Sequence, residues 1–187
     1  MRHSYCIVTF IVFSSFSGFC QDKPTVVAQK EYYEFFNSIS NPSAELHPVI
    51  QSEPVLFNMY DPPETNDRKL FDTLFAKGDT AFLVSQAIKA KSFYWGPGMI
   101  DGYTVVNKSD LSQIINGDDG WDRLYKMYAT QGYWVYSVPL FSVDRTICVV
   151  KYINHCGNLC QANYVYYYKK TEGKWKSVYH YRTMINY

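Results

Sequence analysis

The chain has 187 residues, with 18 Lys and Arg against 17 Asp and Glu, so its formal net charge is +1. This balance argues against a dedicated nucleic-acid or membrane-surface protein, which would show a concentrated basic face. The asymmetry is mild: residues 21–103 carry seven basic and eleven acidic side chains, and residues 104–187 carry ten and six. Aromatic content is high, with 18 Tyr and 4 Trp, which favours pleated surfaces on which rings pack.

Residues 1–20 read as a secretory signal peptide. A polar start with Arg2 precedes the apolar run Tyr5–Phe13, and small residues follow it. The run is too short to cross about 30 Å of hydrocarbon as a helix. We expect cleavage near Cys20-Gln21, which leaves one exported domain over residues 21–187. A lipid anchor on Cys20 is less favoured, because Phe19 stands where a lipoprotein needs a small residue. No second apolar run reaches the length of a transmembrane segment.

The part from residue 24 to residue 129 is predicted to be mostly helical. Apolar residues recur at helical spacing in five segments, which span residues 24–39, 68–75, 79–91, 111–115 and 121–129. Asn66 or Asp67 is the expected cap of the second segment, and Ser109 with Asp110 that of the fourth. Five prolines make residues 42–66 a connector without long helices, with one edge strand expected around Val55–Met59 and a short strand at residues 103–106.

The part from residue 133 to residue 185 is predicted to be a sheet. Alternating patterns indicate strands at residues 133–141, 145–155, 164–170 and 174–183, joined by connections of hairpin length. We therefore expect an antiparallel meander of about four strands with the N-terminal helices packed on one face. The fold class is α+β.

Cys156 and Cys160 bracket a bend made by Gly157, Asn158 and Leu159. In an exported protein the favoured interpretation is a disulfide across the tip of a hairpin. Reduced structural thiols, a metal site and a redox site stay open as alternatives. The three-residue spacing and the absence of a following helix argue against redox chemistry, and three ligands at best argue against zinc. Cys148 is expected to be a buried small hydrophobe.

Motifs for catalysis or cofactors are absent from the sequence: there is no phosphate-binding glycine loop, nucleophile elbow or zinc helix. We predict no cofactor and no metal. A hydrolase remains an alternative if the fold assembles a cleft from scattered residues, for which the candidates are His155, His180, Asp118 and Asp122.

Four motifs of the C-terminal half occur in a recognisable order. They are GW-x3-Y (120–125), S-V-P-x-F-S (137–142), C-G-x-L-C (156–160) and G-K-W-K (173–176). Over about residues 80–185 this pattern resembles a functionally unassigned family of small exported proteins of Gram-negative bacteria. Gln161 departs from the pattern, which has glycine there. The resemblance implies an exported α+β module in the periplasm or outside the cell, and it brings no catalytic residues.

The leading functional hypothesis is a non-catalytic binding module that presents tyrosine-rich sheet surface and the cysteine-bracketed tip. Alternation places Tyr164, Tyr166 and Tyr168 on one face, and we expect Trp175, Tyr179 and Tyr181 to share a face across the hairpin. Lys174 and Lys176 would form the rim. The candidate partners are carbohydrate and an envelope protein. A structural or inhibitory protein that blocks its partner with the hairpin tip is the further alternative.

Overall fold

A computed structural model describes residues 26–39, 48–57, 65–158 and 160–183, so the predicted signal peptide, His47 and Leu159 lie outside the described residues. The helices come mainly first and the strands last, which confirms the α+β class. The described helices are α1 (Gln29–Ile39), α2 (Thr65–Leu74), α3 (Asp79–Lys89), α4 (Lys108–Ile115) and α5 (Gly120–Tyr128), with a 3-10 turn at Ala90–Ser92. None of these helices has the length and apolar character needed to cross a bilayer.

The described strands are β1 (Val49–Gln51), β2 (Thr104–Val106), β3 (Tyr133–Tyr136), β4 (Leu140–Phe141), β5 (Ile147–Gly157), β6 (Cys160–Thr171) and β7 (Lys174–Thr183). They form one seven-stranded sheet in the order β2-β1-β3-β5-β6-β7, with β4 paired to β5. The antiparallel meander expected over the C-terminal part is confirmed. Two short strands from the N-terminal part extend it in parallel fashion.

The connector expected at residues 42–66 contains one of these added strands. Val49–Gln51 pairs with β2 on one side and β3 on the other, and all three of its residues are buried. The edge strand expected around Val55–Met59 is wrong for residues 55–57, which are not in a strand, and Met59 lies outside the described residues. Three residues are too few to show alternation, so tertiary pairing determined this strand.

The strand expected at residues 133–141 is divided into β3 and β4. Pro139 has no backbone N–H to donate to a ladder, and it lies between the two strands. Ser137 bridges the break: its backbone N–H donates to the Lys151 carbonyl, and its hydroxyl accepts from the Lys151 N–H, both at 2.9 Å. The two short strands therefore pair with successive parts of β5.

Both faces of the sheet are covered, which differs from the single covered face expected. Ile147–Val150 of β5 are buried at every position, a pattern typical of a strand packed on two sides. One face, termed the α1 face, packs Cys148 and Val150 against α1. The opposite face packs Val149 against α2 and α3 and, nearer β3, Val135 against α4 and α5.

Two helix starts differ from the expected caps. α2 begins at Thr65, ahead of Asn66 and Asp67. α4 begins at Lys108, so Ser109 and Asp110 lie in its first turn instead of capping it. The Lys108 N–H is satisfied from outside the helix, because it donates to Glu53 Oε2 at 2.8 Å.

Candidate functional site

The tyrosines of β6 lie on the α1 face, as alternation predicts. Register with β7 places Tyr166 opposite His180 and Tyr164 opposite Arg182. On its other side β6 pairs Tyr164 with Tyr152 and Tyr166 with Val150 of β5. Directly opposed residues of antiparallel strands share a face, so the rings of β5, β6 and β7 form one continuous surface.

One end of this surface is the core under α1. The Phe35 ring of α1 lies 5.2 Å from the Tyr168 ring and 5.3 Å from the Trp175 ring, both in edge-to-face contact. Tyr168 keeps 8 % exposure. This half of the face is occupied by the protein itself.

The other end is half-exposed, and we term it the aromatic platform. Its members are Trp134, Tyr152, Tyr164, Tyr166, His180 and Arg182, of which His180 and Arg182 are exposed and the others are intermediate. The Tyr166 ring lies 4.9 Å from the Tyr152 ring and stacks on the His180 ring at 4.8 Å. Trp134 stacks parallel to the buried Tyr136 at 6.2 Å. The rings are held by packing, so a ligand would meet a preformed surface.

Electrostatics keep the base of the platform neutral. The hydroxyls of Tyr152 and Tyr168 share a hydrogen bond of 2.8 Å. Burial raises the pKa of Tyr168 to about 12 and, as the largest cause, raises the pKa of Tyr152 well above its ordinary value. Among the platform residues, the positive charge is that of Arg182 at the rim, where its guanidinium lies 5.9 Å from the Tyr164 ring centre.

The expectation that Trp175, Tyr179 and Tyr181 share a face is wrong. Pairing with β6 runs from Trp175 opposite Lys170 to Tyr179 opposite Tyr167, with a register shift between them. An extra residue in one strand reverses the sidedness of the residues beyond it. Trp175 therefore lies on the α1 face, while Tyr179 and Tyr181 lie on the opposite face, where Tyr179 contacts the Tyr167 ring.

The lysines of the predicted rim lie beside the β6–β7 turn. Lys174 and Lys176 are exposed there, and the Lys170 ammonium lies 5.5 Å from the Trp175 ring centre. Lys170 is therefore at the covered end of the α1 face, whereas Lys174 and Lys176 pair with Thr171 and Lys169 and lie on the opposite face of the sheet. None of the three lies beside the platform.

The predicted disulfide is confirmed. Cys156 and Cys160 are bonded with their Cα atoms 5.0 Å apart, and Gly157 between them has a φ of 146° that side chains rarely adopt. Trp121 of α5 holds the tip, because its indole N–H donates to the Asn158 side-chain oxygen at 2.7 Å. Cys148 is a fully buried free thiol, as expected.

The residues proposed for a hydrolase are not brought together as a whole. His155 stacks on Tyr133 at 4.6 Å on the opposite face, whereas His180 stacks on Tyr166 on the α1 face. Asp118 and Asp122 are at the start of α5, and both are exposed. Burial lowers the pKa of His155, which suits a packed neutral ring. No group of acids, histidines and cysteines suited to a metal ion occurs among the described residues.

Four members of the platform were absent from the predicted binding residues: Trp134, Tyr152, His180 and Arg182. The signal that could have found them is the pairing register. Once Tyr166 is aligned with His180, Tyr164 with Tyr152 and Trp134 with Asn154, alternation places all four on one face.

Comparison with known proteins gives no match: no family model, no curated protein and no solved structure is significantly similar to this chain. The resemblance of the C-terminal motifs stays a prediction, since none of these findings bears on it.

Proposed function

We propose that this protein is an exported, non-catalytic carbohydrate-binding module whose binding surface is the aromatic platform. The observation that carries the proposal is the partly exposed Tyr166 ring, which stacks on the exposed His180 and contacts the more deeply packed Tyr152. Sugar rings present apolar C–H faces that pack on aromatic rings, and their hydroxyls need polar partners at the rim. His180 and Arg182 are exposed beside the rings and can supply such partners.

The physical basis of the proposed binding is the small conformational entropy that the platform side chains lose when a ligand binds. Tyrosine has few rotatable bonds and a large contact area, so it loses little entropy when a ligand binds. The platform tyrosines are already packed against one another, with Tyr164 6.4 Å from Tyr166 between ring centres. Binding then requires little rearrangement, which suits recognition of a weakly hydrophobic ligand.

Export is the second element of the proposal. The Cys156–Cys160 disulfide supports it, because such bonds persist in oxidising compartments. N-terminal sequencing of the natural secreted or periplasmic material tests it, with Gln21 as the expected first residue. Material that retains residues 1–20 would contradict it.

The binding test is a glycan array followed by calorimetry on the domain that starts at Gln21. Tyr166→Ala is expected to weaken the binding of any captured glycan at least about tenfold, as for a central aromatic contact. Tyr125→Ala is the matched control, since Tyr125 is exposed on α5 and lies outside the platform. Near-ultraviolet circular dichroism checks that the variants stay folded. Equal affinity of wild type and Tyr166→Ala, or no binding to any glycan, would refute the platform.

A second candidate is recognition of an envelope protein by the hairpin tip. It is favoured by the double restraint of the tip, which the disulfide closes and the hydrogen bond from Trp121 holds to α5. A restrained loop binds with little loss of entropy. Asn158→Ala would abolish capture of such a partner while leaving glycan binding intact, so the two candidates separate in one variant.

A further inference from the structure

Asn154 of β5 lies on the same face of the sheet as the platform rings. It is paired with Trp134 of β3 on one side and with Ala162 of β6 on the other, and directly opposed residues share a face. Its neighbour along the strand, His155, stacks on Tyr133 of the opposite face, as the alternation of a strand requires. The Asn154 side chain therefore borders the platform beside the Trp134 ring.

The side-chain amide of Asn154 has no hydrogen-bond partner in the described part of the chain. The residue is half-exposed, and no buried side-chain nitrogen or oxygen described there is unpaired, so water reaches this amide. The other amides of the β5–β6 hairpin are bonded within the protein. Asn158 accepts from Trp121, and Gln161 donates to Asn163 at 3.5 Å. Asn is disfavoured in strands, and the Asn154 side chain adds no hydrogen bond that would explain its place by stability.

The chemistry of this amide suits a pair of sugar hydroxyls. An Asn side chain presents a carbonyl acceptor and an NH₂ donor in one plane. The oxygen can accept from one hydroxyl while the nitrogen donates to the next, provided that the two hydroxyls are on adjacent carbons. A site built for such bonds discriminates against an analogue that lacks one of the hydroxyls. A solvated amide beside aromatic rings is the type of group that fixes the orientation of a ligand.

The polar groups of the platform lie at two separate ends. Asn154 is beside Trp134 of β3, whereas the exposed His180 is on β7. Because β3, β5, β6 and β7 are successive neighbours in the sheet, three strand spacings, or at least about 14 Å, separate Trp134 from His180. Tyr152 of β5 and Tyr166 of β6 supply the rings between them. A monosaccharide cannot reach both ends, whereas a linear oligosaccharide that crosses the strands can.

We infer that the platform binds a linear oligosaccharide whose inner units keep hydroxyls on adjacent carbons. This ligand crosses the strands from Trp134 to His180, and Asn154 determines its specificity by binding one such hydroxyl pair. The inference rests on the proposed carbohydrate-binding function and adds the class of glycan, its direction on the sheet and the residue that selects it. Glycans whose linkage occupies one carbon of every adjacent pair are disfavoured by the same contact.

The test is calorimetry with hexamers that differ in linkage. Cellohexaose, xylohexaose and mannohexaose keep adjacent hydroxyls on their inner units, whereas the linkage of laminarihexaose leaves its inner units no such pair. At least one of the first three hexamers is expected to bind about tenfold more tightly than laminarihexaose, which keeps a pair only on its terminal unit. The dimer of the preferred series should bind about tenfold more weakly than its hexamer, because it cannot contact both ends of the platform.

Asn154→Leu separates recognition by the amide from recognition of overall glycan shape. It keeps a branched side chain and removes the donor and the acceptor, so it should weaken the preferred hexamer about tenfold and affect laminarihexaose much less. Asn163→Leu is the matched control and should keep the preference, since Asn163 is a half-exposed amide of the neighbouring strand on the opposite face. Near-ultraviolet circular dichroism checks that both variants are folded. A preference that persists unchanged in Asn154→Leu would overturn the role of Asn154.

The remaining outcomes separate this inference from the proposed function. The inference is overturned, and the carbohydrate-binding function stands, if laminarihexaose binds as tightly as the other hexamers. The same conclusion follows if no hexamer binds although the glycan array captures another sugar. Equal affinity of dimer and hexamer would overturn the crossing of the strands. Lack of binding to every glycan of the array would overturn both proposals.

Discussion

Tyr166 and Tyr168 point to the same side of the same strand, yet one faces the proposed ligand and the other belongs to the core. Tyr168 contacts Phe35 of α1, while Tyr166 contacts Tyr152 and the exposed His180. The two residues are chemically identical and two positions apart. They differ in their position relative to α1, because Phe35 of this helix packs on Tyr168, whereas Tyr166 lies beyond that contact. Whether a tyrosine of this sheet belongs to the core or to the platform therefore depends on what packs on its ring, and not on the strand that carries it.

The largest loss of stability is expected from a substitution in the half of the α1 face that the helix covers. Phe35→Ala removes a ring that is 1 % exposed and touches Phe36, Phe141, Tyr168 and Trp175. We expect it to lower the free energy of unfolding by about 3–5 kcal/mol, the cost of a large cavity, as measured by urea denaturation. Tyr164→Ala, its counterpart on the platform, should cost about 1 kcal/mol or less. Equal losses would mean that both halves are core.

The next effect is an alkaline transition. Burial raises the pKa of Tyr168 to about 12 from 10.0 in the unfolded chain, a difference worth about 3 kcal/mol. Because the folded pKa is the higher one, this stability is present below pH 10 and is lost as the pH rises towards 12. Tyr168→Phe should lose about 1 kcal/mol at neutral pH, through the lost bond to Tyr152, but decline less above pH 10. Denaturation at graded pH checks this, and parallel curves would contradict it.

The disulfide acts beside the platform, on the open half of the sheet. Replacing Cys156 and Cys160 together by Ser is expected to lower stability by about 2 kcal/mol, the chain-entropy value for so short a loop. Glycan affinity should change little, because the platform rings are held by β5, β6 and β7 and not by the tip. Thermal denaturation and calorimetry of the same variant measure both. A complete loss of binding would place the tip in the site.

The smallest expected effect is a pH dependence of stability that arises from His155, which lies on the sheet face opposite the platform. Burial lowers its pKa below 6.5, so the unfolded chain takes up its proton first as the pH falls. Stability is therefore full above about pH 6.5 and falls as the pH drops towards the folded pKa. His155→Phe keeps a ring against Tyr133 and should flatten this dependence between about pH 7 and pH 5. An unchanged pH profile of the melting temperature would refute the assignment.

The long helices and strands were predictable from the periodicity of the sequence, whereas the pairing and register of the strands were not. Helix α3 begins at Asp79 as expected, and β7 has the bounds expected. The three residues of β1 carry no periodic signal, and their place beside β3 depends on contacts distant in sequence. The bulge of β7 has no glycine or proline to mark it, so counting by twos failed between Trp175 and Tyr179.

The candidate site was predictable in part for the same reason. Tyr164 and Tyr166 were found because alternation within one strand is local information. Tyr152 and Arg182 required the register of two further strands. The bond from Trp121 to Asn158 joins residues 37 positions apart, and neither residue type signals it.

The irregularity in β7 also affects the tendency of the protein to self-associate. β7 is the last strand of the described sheet, and a regular outer strand invites a second copy to add its own strand there. An interrupted ladder preceded by the exposed Lys174 and Lys176 offers a poor template and repels an identical neighbour. The bulge that places Tyr179 on the face opposite the platform thus also disfavours edge-to-edge aggregation of a tyrosine-rich sheet.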